Sequence, residues 1–108
     1  MEGKPNVDME LFDSLKAYLN IAYEDELSDQ ALVGMVKRGK AMLDDYAGAK
    51  QDYEKEGLPK QLLFDYCRYA RSHALEMFSA NFGRELIALR EQAELEAVKE
   101  TDEDKDAG

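Results

Sequence analysis

The chain has no tryptophan, one cysteine, two prolines and few basic residues beside its acidic ones. Each shortage excludes something. A lone Cys67 permits no internal disulfide, so no disulfide framework holds the fold, and a reducing, intracellular setting is the expectation. No apolar run approaches the ~18 residues of a membrane span, and Glu2, Lys4, Asp8 and Glu10 interrupt the opening stretch where a signal peptide would be apolar. Fourteen Lys and Arg against 24 Asp and Glu give a formal charge of −10, the wrong sign for sequence-independent attraction to nucleic acid or to an anionic membrane surface. What is present is enough for one small domain: 108 residues, of which 44% are apolar and 35% charged.

The charge is unevenly placed. Residues 91–108 hold eight acids against Lys99 and Lys105, a net of −6, which leaves −4 for residues 1–90. From Lys99 onward no large apolar side chain occurs, so the segment cannot bury enough surface to offset the entropy of ordering, and residues 99–108 are expected to be a disordered acidic tail. The opening MEGKPNV carries a Gly and a Pro without any period and reads as a flexible arm over 1–7. The expected folded domain is 8–98.

Within it the apolar period is helical, predicting an all-α domain of about four helices with two longer central ones. Asp8 caps a first helix whose apolar face is Leu11, Leu15, Tyr18 and Leu19, ending near Asn20. Ser28 or Asp29 is the expected cap of a second, with Leu32, Met35, Val36, Gly39, Met42, Leu43 and Tyr46 on one face and Gly48 as its stop. Lys37, Arg38 and Lys40 form the chain's densest basic cluster, expected to pair with acids within the chain or across a subunit contact. A loop over 49–58 leads to Pro59 in the first turn of a third helix. Its apolar content, from Leu62 to Phe78, predicts a central helix over 60–80, about 31 Å long if unbroken. Asn81 and Gly83 mark a bend, and Phe82, Leu86, Leu89, Ala93 and Ala97 form a narrow stripe on a highly charged fourth helix. Gly34 and Gly39 each cost about 1 kcal/mol relative to Ala inside a helix, which points to close approach of a neighbouring helix.

Chemistry is sparse. His73 and Cys67, six residues apart on the expected helix, do not share a face and make a poor metal pair; a surface histidine and a buried small hydrophobe are the simpler readings. Asp44 and Asp45 point about 100° apart and read as solvated surface rather than an acid–base pair. No glycine-rich phosphate loop, metal site or cofactor motif is found, and no enzymatic activity is expected. The residues expected to carry protein contacts are Lys37, Arg38, Tyr53, Leu58, Phe82, Arg84, Leu86 and Leu89. Of these, Tyr53 in the loop is a candidate interface anchor, and the stripe Phe82, Leu86 and Leu89 is a candidate assembly face.

The segments LFDSLKAYLNI, VKRGKAMLDDYAG and YEKEGLPKQLLFDYCRYARSHALEMFSANFGREL together resemble the head-tail connector family of tailed bacteriophages, the small adaptor proteins that dock beneath the portal, prophage copies included. The resemblance covers about residues 9–90 and is most specific at RGKAMLDDYAG (38–48) and EKEGLPKQLLFDYCRYA (54–70). It implies an all-helical fold, no catalytic residues, and assembly into a homo-oligomeric ring, a dodecamer when seated on a portal, through which DNA passes. It also implies a portal protein and a downstream tail-completion protein as partners, and a place at the head–tail interface of a virion assembled in the bacterial host cytoplasm. The chain differs from longer members in carrying only an acidic segment after Glu100. An acidic helical module occupying a basic site on a DNA-binding or packaging protein is the alternative from another functional class.

Overall fold

The structure, a computed structural model, describes residues 8–107, with side chains for 8–100. The expected arm over 1–7 lies outside the described residues. Five α-helices and one 3₁₀ turn follow in order, with no strand among the described residues: α1 (Met9–Tyr18), α2 (Glu26–Ala47), α3 (Leu58–Arg71), the 3₁₀ turn (Leu75–Met77), α4 (Phe78–Asn81) and α5 (Gly83–Ala107). The all-α expectation holds.

The helix starts follow from capping chemistry. Asp8 accepts from the Leu11 N–H at 2.9 Å, as expected. For α2 the cap is Asp25 rather than Ser28 or Asp29: its carboxylate accepts from the Ser28 N–H at 2.9 Å, which holds the Asp25 carboxyl below its usual range. Pro59 sits in the first turn of α3, where its missing N–H removes no bond.

Three helices end by one device. At Asn20 (φ 62°), Gly48 (φ 82°) and His73 (φ 55°) the backbone turns left-handed. The N–H of that residue and the next then bond back to helix carbonyls: Asn20 to Ala17 and Ile21 to Lys16, Gly48 to Asp45 and Ala49 to Asp44, His73 to Ala70 and Ala74 to Tyr69. The third instance corrects the sequence reading. The expected helix over 60–80 stops at Arg71 after 14 residues, and the chain turns through the 3₁₀ turn and α4 before α5. The two longest helices are therefore α2, with 22 residues, and α5, with 25. The turned segment is anchored by aromatic packing. Phe78, 1% exposed, lies edge-on to Tyr66 and Tyr69 and stacks on Phe82 at 5.0 Å between centroids.

The core is one cluster from all the major helices: Leu11, Phe12 and Leu15 of α1; Leu32, Val36 and Leu43 of α2; Leu62, Leu63, Tyr66 and Cys67 of α3; and Leu86, Leu89 and Ala93 of α5. Close approach of α2 and α3 occurs at Gly39, where an added Cβ would lie 2.8 Å from both Leu63 Cδ1 and Tyr66 Cδ1. At Gly34 no neighbouring helix approaches; a Cβ there would meet only the Arg38 guanidinium, at 3.1 Å. The expectation for the two glycines is thus met at Gly39 alone. Two polar ties add α1 to the pair. Lys16 bonds Asp29 of α2 at 3.0 Å, and the Tyr18 hydroxyl donates to the buried Asp65 of α3 at 2.6 Å.

α5 continues through Ala107, so helical backbone extends into residues 99–107 of the expected acidic tail. Missing apolar anchors forbid packing onto the core, but no Gly or Pro occurs between Gly83 and Gly108 to stop a helix already nucleated by its buried first half. Every described side chain after Ala93 is exposed. The chain is accordingly elongated, at 51 × 36 × 18 Å, with a radius of gyration of 15.7 Å against about 13 Å for a compact chain of this length.

Substituting the two helix glycines separates propensity from packing. Gly34→Ala gains helix propensity while the Arg38 side chain swings aside, and should raise stability by about 0.5–1 kcal/mol. Gly39→Ala gains the same propensity but overpacks Leu63 and Tyr66, and should lower stability by about 1–2 kcal/mol. Urea midpoints of the two variants check the opposite signs. His73→Gly relieves a left-handed non-glycine residue and should stabilise by about 0.5–1 kcal/mol in the same assay.

Candidate functional site

The residues available for chemistry are few. Cys67 is fully buried among apolar neighbours, and burial pushes its thiol up to about 12, so it is protonated at neutral pH. His73 is exposed at the end of α3, where its backbone closes the helix. Among the described residues no three His, Cys, Asp or Glu side chains gather to hold a metal ion. No helix of the described residues is long and apolar enough to cross a membrane.

A cleft of about 470 Å³ opens between α1 and α3, lined by Ser14, Tyr18, Lys60, Gln61, Phe64 and Asp65, with Glu56 from the preceding loop. Four of its polar side chains are already paired. Asp65 accepts from Tyr18 and from Arg68 at 3.3 Å, Lys60 bonds Glu56 at 2.7 Å, and the Tyr18 and Phe64 rings lie 5.5 Å apart. The hydrogen bond to Asp65 raises the Tyr18 hydroxyl above its ordinary value, with burial adding to it. The cleft thus offers ring faces and a polar rim, suited to holding a side chain and not to activating a nucleophile.

The expected interface residues separate into three groups. Lys37 and Arg38 on α2, and Arg84 on α5, are exposed. Leu58 at the start of α3 and Phe82 before α5 are partly buried against the core, and Phe82 adds an edge-on contact with Tyr69 at 5.4 Å. Tyr53, Leu86 and Leu89 are buried at 4%, 2% and 0% exposure, which corrects their reading as assembly contacts. The stripe on α5 packs at home because the early end of α3 leaves the central core open for it to close.

Tyr53 is held from α2. Its hydroxyl donates to Asp44 at 2.6 Å and lies 3.3 Å from the Lys40 carbonyl, while the Lys40 ammonium sits 5.6 Å over its ring. Asp44 also accepts from the Gln51 N–H at 3.0 Å. It is therefore a half-buried clamp for the loop over 48–57 rather than solvated surface, a role the adjacent Asp45 obscured in the sequence. Burial first, then the bond to Asp44, pushes the Tyr53 hydroxyl far above its ordinary value. Among the described residues, neither Lys37 nor Arg38 forms an ion pair.

The exposed apolar residues on the outward sides of α2 and α5 are not among the expected contacts. On α5, Ile87, Leu95 and Val98 are exposed opposite the buried stripe. On α2, Leu27 is 77% exposed and stands opposite Leu32, Val36 and Leu43. Both were legible as second apolar positions on helices whose first stripe already sufficed for the core. In comparisons with known protein families, curated proteins and solved structures, the chain matches none.

Two variants test these placements. Leu86→Asp puts a carboxylate into the core at a cost of several kcal/mol, comparable to the whole stability of a small domain, and should abolish cooperative melting. Tyr53→Phe removes a hydrogen bond to a carboxylate and should cost about 1–3 kcal/mol at neutral pH. Because the folded state holds the Tyr53 proton more tightly than the unfolded state, where tyrosine titrates near 10, this group's stabilisation is full below about pH 10 and is lost as pH rises beyond it. Denaturation midpoints between about pH 9 and 12 should fall less steeply in the Phe variant than in the parent.

Proposed function

We propose that the protein is a structural head-tail connector of a tailed phage or prophage, a ring subunit that docks beneath a portal and joins head to tail while DNA passes. The observation that carries this reading is the resemblance at 38–48 and 54–70, whose residues build the α2–α3 pairing: Gly39 and Leu43 from the first segment, Leu63, Tyr66 and Cys67 from the second. The shape agrees with it. A domain of this size has a limited core, and a long helix extending past that core supplies surface for neighbours that a lone subunit leaves wet. The sign of the charge agrees as well, since a strongly cationic ring would hold passing duplex through counterion release. The reading assigns no reaction, cofactor or metal to the chain, and places it at the head–tail interface of the virion.

Co-expression with the portal encoded beside its gene tests the proposal. The expected outcome is co-sedimentation and a ring of added density at the portal's narrow end by electron microscopy, together with no binding of the isolated protein to duplex DNA at physiological salt. A gene with no portal, capsid or tail genes near it, or a portal that ignores the protein, would sink the proposal. Tight capture of a DNA-packaging enzyme instead would favour the regulatory-module alternative.

A further inference from the structure

We propose that a second copy of this chain covers the outward face of α5, presenting the outward face of its own α2, in a head-to-tail contact. The closed, ring form of this contact rests on the connector reading; the contact itself does not.

The first face belongs to α5. Its inward residues Leu86, Leu89 and Ala93 are buried on the core, while Ile87, Leu95 and Val98 are exposed. At 100° per residue these three fall within an arc of about 80° opposite the buried stripe; Glu91 shares that arc and Glu94 borders it. It is an apolar face with acidic residues set into it. Glu94 has one weak partner, Arg90 at 3.8 Å, with both side chains largely in solvent.

The second face belongs to α2. Leu27, Ala31, Gly34, Arg38 and Ala41 occupy an arc of similar width opposite Leu32, Val36 and Leu43. Leu27 is the most exposed of the chain's large apolar residues described here. Arg38 and the adjacent Lys37 are exposed cations without an ion pair among the described residues. Apolar surface bordered by cations on α2 complements apolar surface bordered by carboxylates on α5. The spans match as well: Leu27 to Ala41 covers about 21 Å along its axis and Ile87 to Val98 about 17 Å. At Gly34 the space that the missing side chain leaves is taken by the guanidinium of Arg38, which holds that cation against this face.

The contact must be between copies. Within one chain α2 and α5 already pack on each other through their inward faces, so their outward faces point away from one another. A contact joining α5 of one copy to α2 of the next uses different surfaces on each partner and leaves one of each free. It therefore propagates, and closes into a ring where the rotation per subunit permits. The charged rim sets register and partner choice, and the exposed apolar residues supply the burial.

Charge reversal on the full chain tests this. Sedimentation velocity of the parent at rising concentration should show association that weakens with salt. Lys37→Glu with Arg38→Glu, and separately Glu91→Lys with Glu94→Lys, should each weaken association by about tenfold or more, because each makes the two faces like-charged. Mixing the two variants should restore it, since every α5 then finds an α2 of opposite sign. All altered residues are exposed, so melting curves should match the parent's. A parent that stays monomeric at about 1 mM in low salt, or variants that associate like the parent, overturns the inference. So does a lowered melting temperature on Leu95→Asp with Val98→Asp that deletion of residues 1–7 reproduces, which would show the face covered by the chain's own N-terminal segment. Self-association without portal binding would uphold this contact and remove the connector reading; portal binding by a strictly monomeric chain would do the reverse.

Discussion

The structure depends on how closely α2 and α3 approach at Gly39. With no side chain there, Leu63 and Tyr66 press against the α2 backbone, and the groove between the two helices becomes the floor on which the other elements pack. Leu11, Phe12 and Leu15 of α1 and Leu86, Leu89 and Ala93 of α5 join the same buried cluster. A glycine within a helix costs about 1 kcal/mol in propensity, and the contacts of two large side chains offset it. The polar ties follow from the same geometry. Asp65 is buried because α3 lies close, and it is tolerated there because Tyr18 and Arg68 supply its hydrogen bonds.

The second constraint is the stop at His73. A continuous helix through Phe78 would have carried that ring away from Tyr66 and Tyr69; the turn brings it back against both, and Phe82 stacks on it to start α5. The direction in which α5 leaves is thereby set by an aromatic corner. Its first half is drawn into the core, and its second half extends past it, so one turn of backbone determines both the last wall of the core and the shape of the molecule.

How far the sequence disclosed this depends on the type of signal. Asp8, Gly48 and Pro59 mark helix ends through chemistry that acts within a few residues, and those ends fall where expected. His73 performs the same work as Gly48 without any residue-level mark, because its side chain disfavours the conformation that the surrounding packing imposes. The errors at Leu86 and Leu89 descend from that single miss. An unbroken third helix would carry enough apolar residues to close the core with α1 and α2 and would leave the stripe on α5 spare. Tyr53 was misplaced for a different reason: its partner Asp44 lies nine residues back on α2, and nothing local in a polar loop says that its ring turns inward. The exposed cations Lys37 and Arg38 were legible as a cluster, whereas the apolar positions beside them on α2 were not, because a periodic reading assigns each helix one face.

The outer half of α5 is energetically poised. A separate helix of its length would be marginal in water, but this one is nucleated by the buried half, so each further residue adds at nearly zero net free energy. Its sequence works against persistence, for acids accumulate toward the end where the helix dipole disfavours negative charge. The Arg90–Glu94 pair, exposed on both sides, contributes only tenths of a kcal/mol in return. A cationic surface laid along this segment would reverse the sign of the end effect and remove the like-charge repulsion together, while covering Leu95 and Val98, which water now surrounds. An element balanced in this way responds to a neighbour of modest strength, and the same acids that weaken the free helix select which neighbour it accepts.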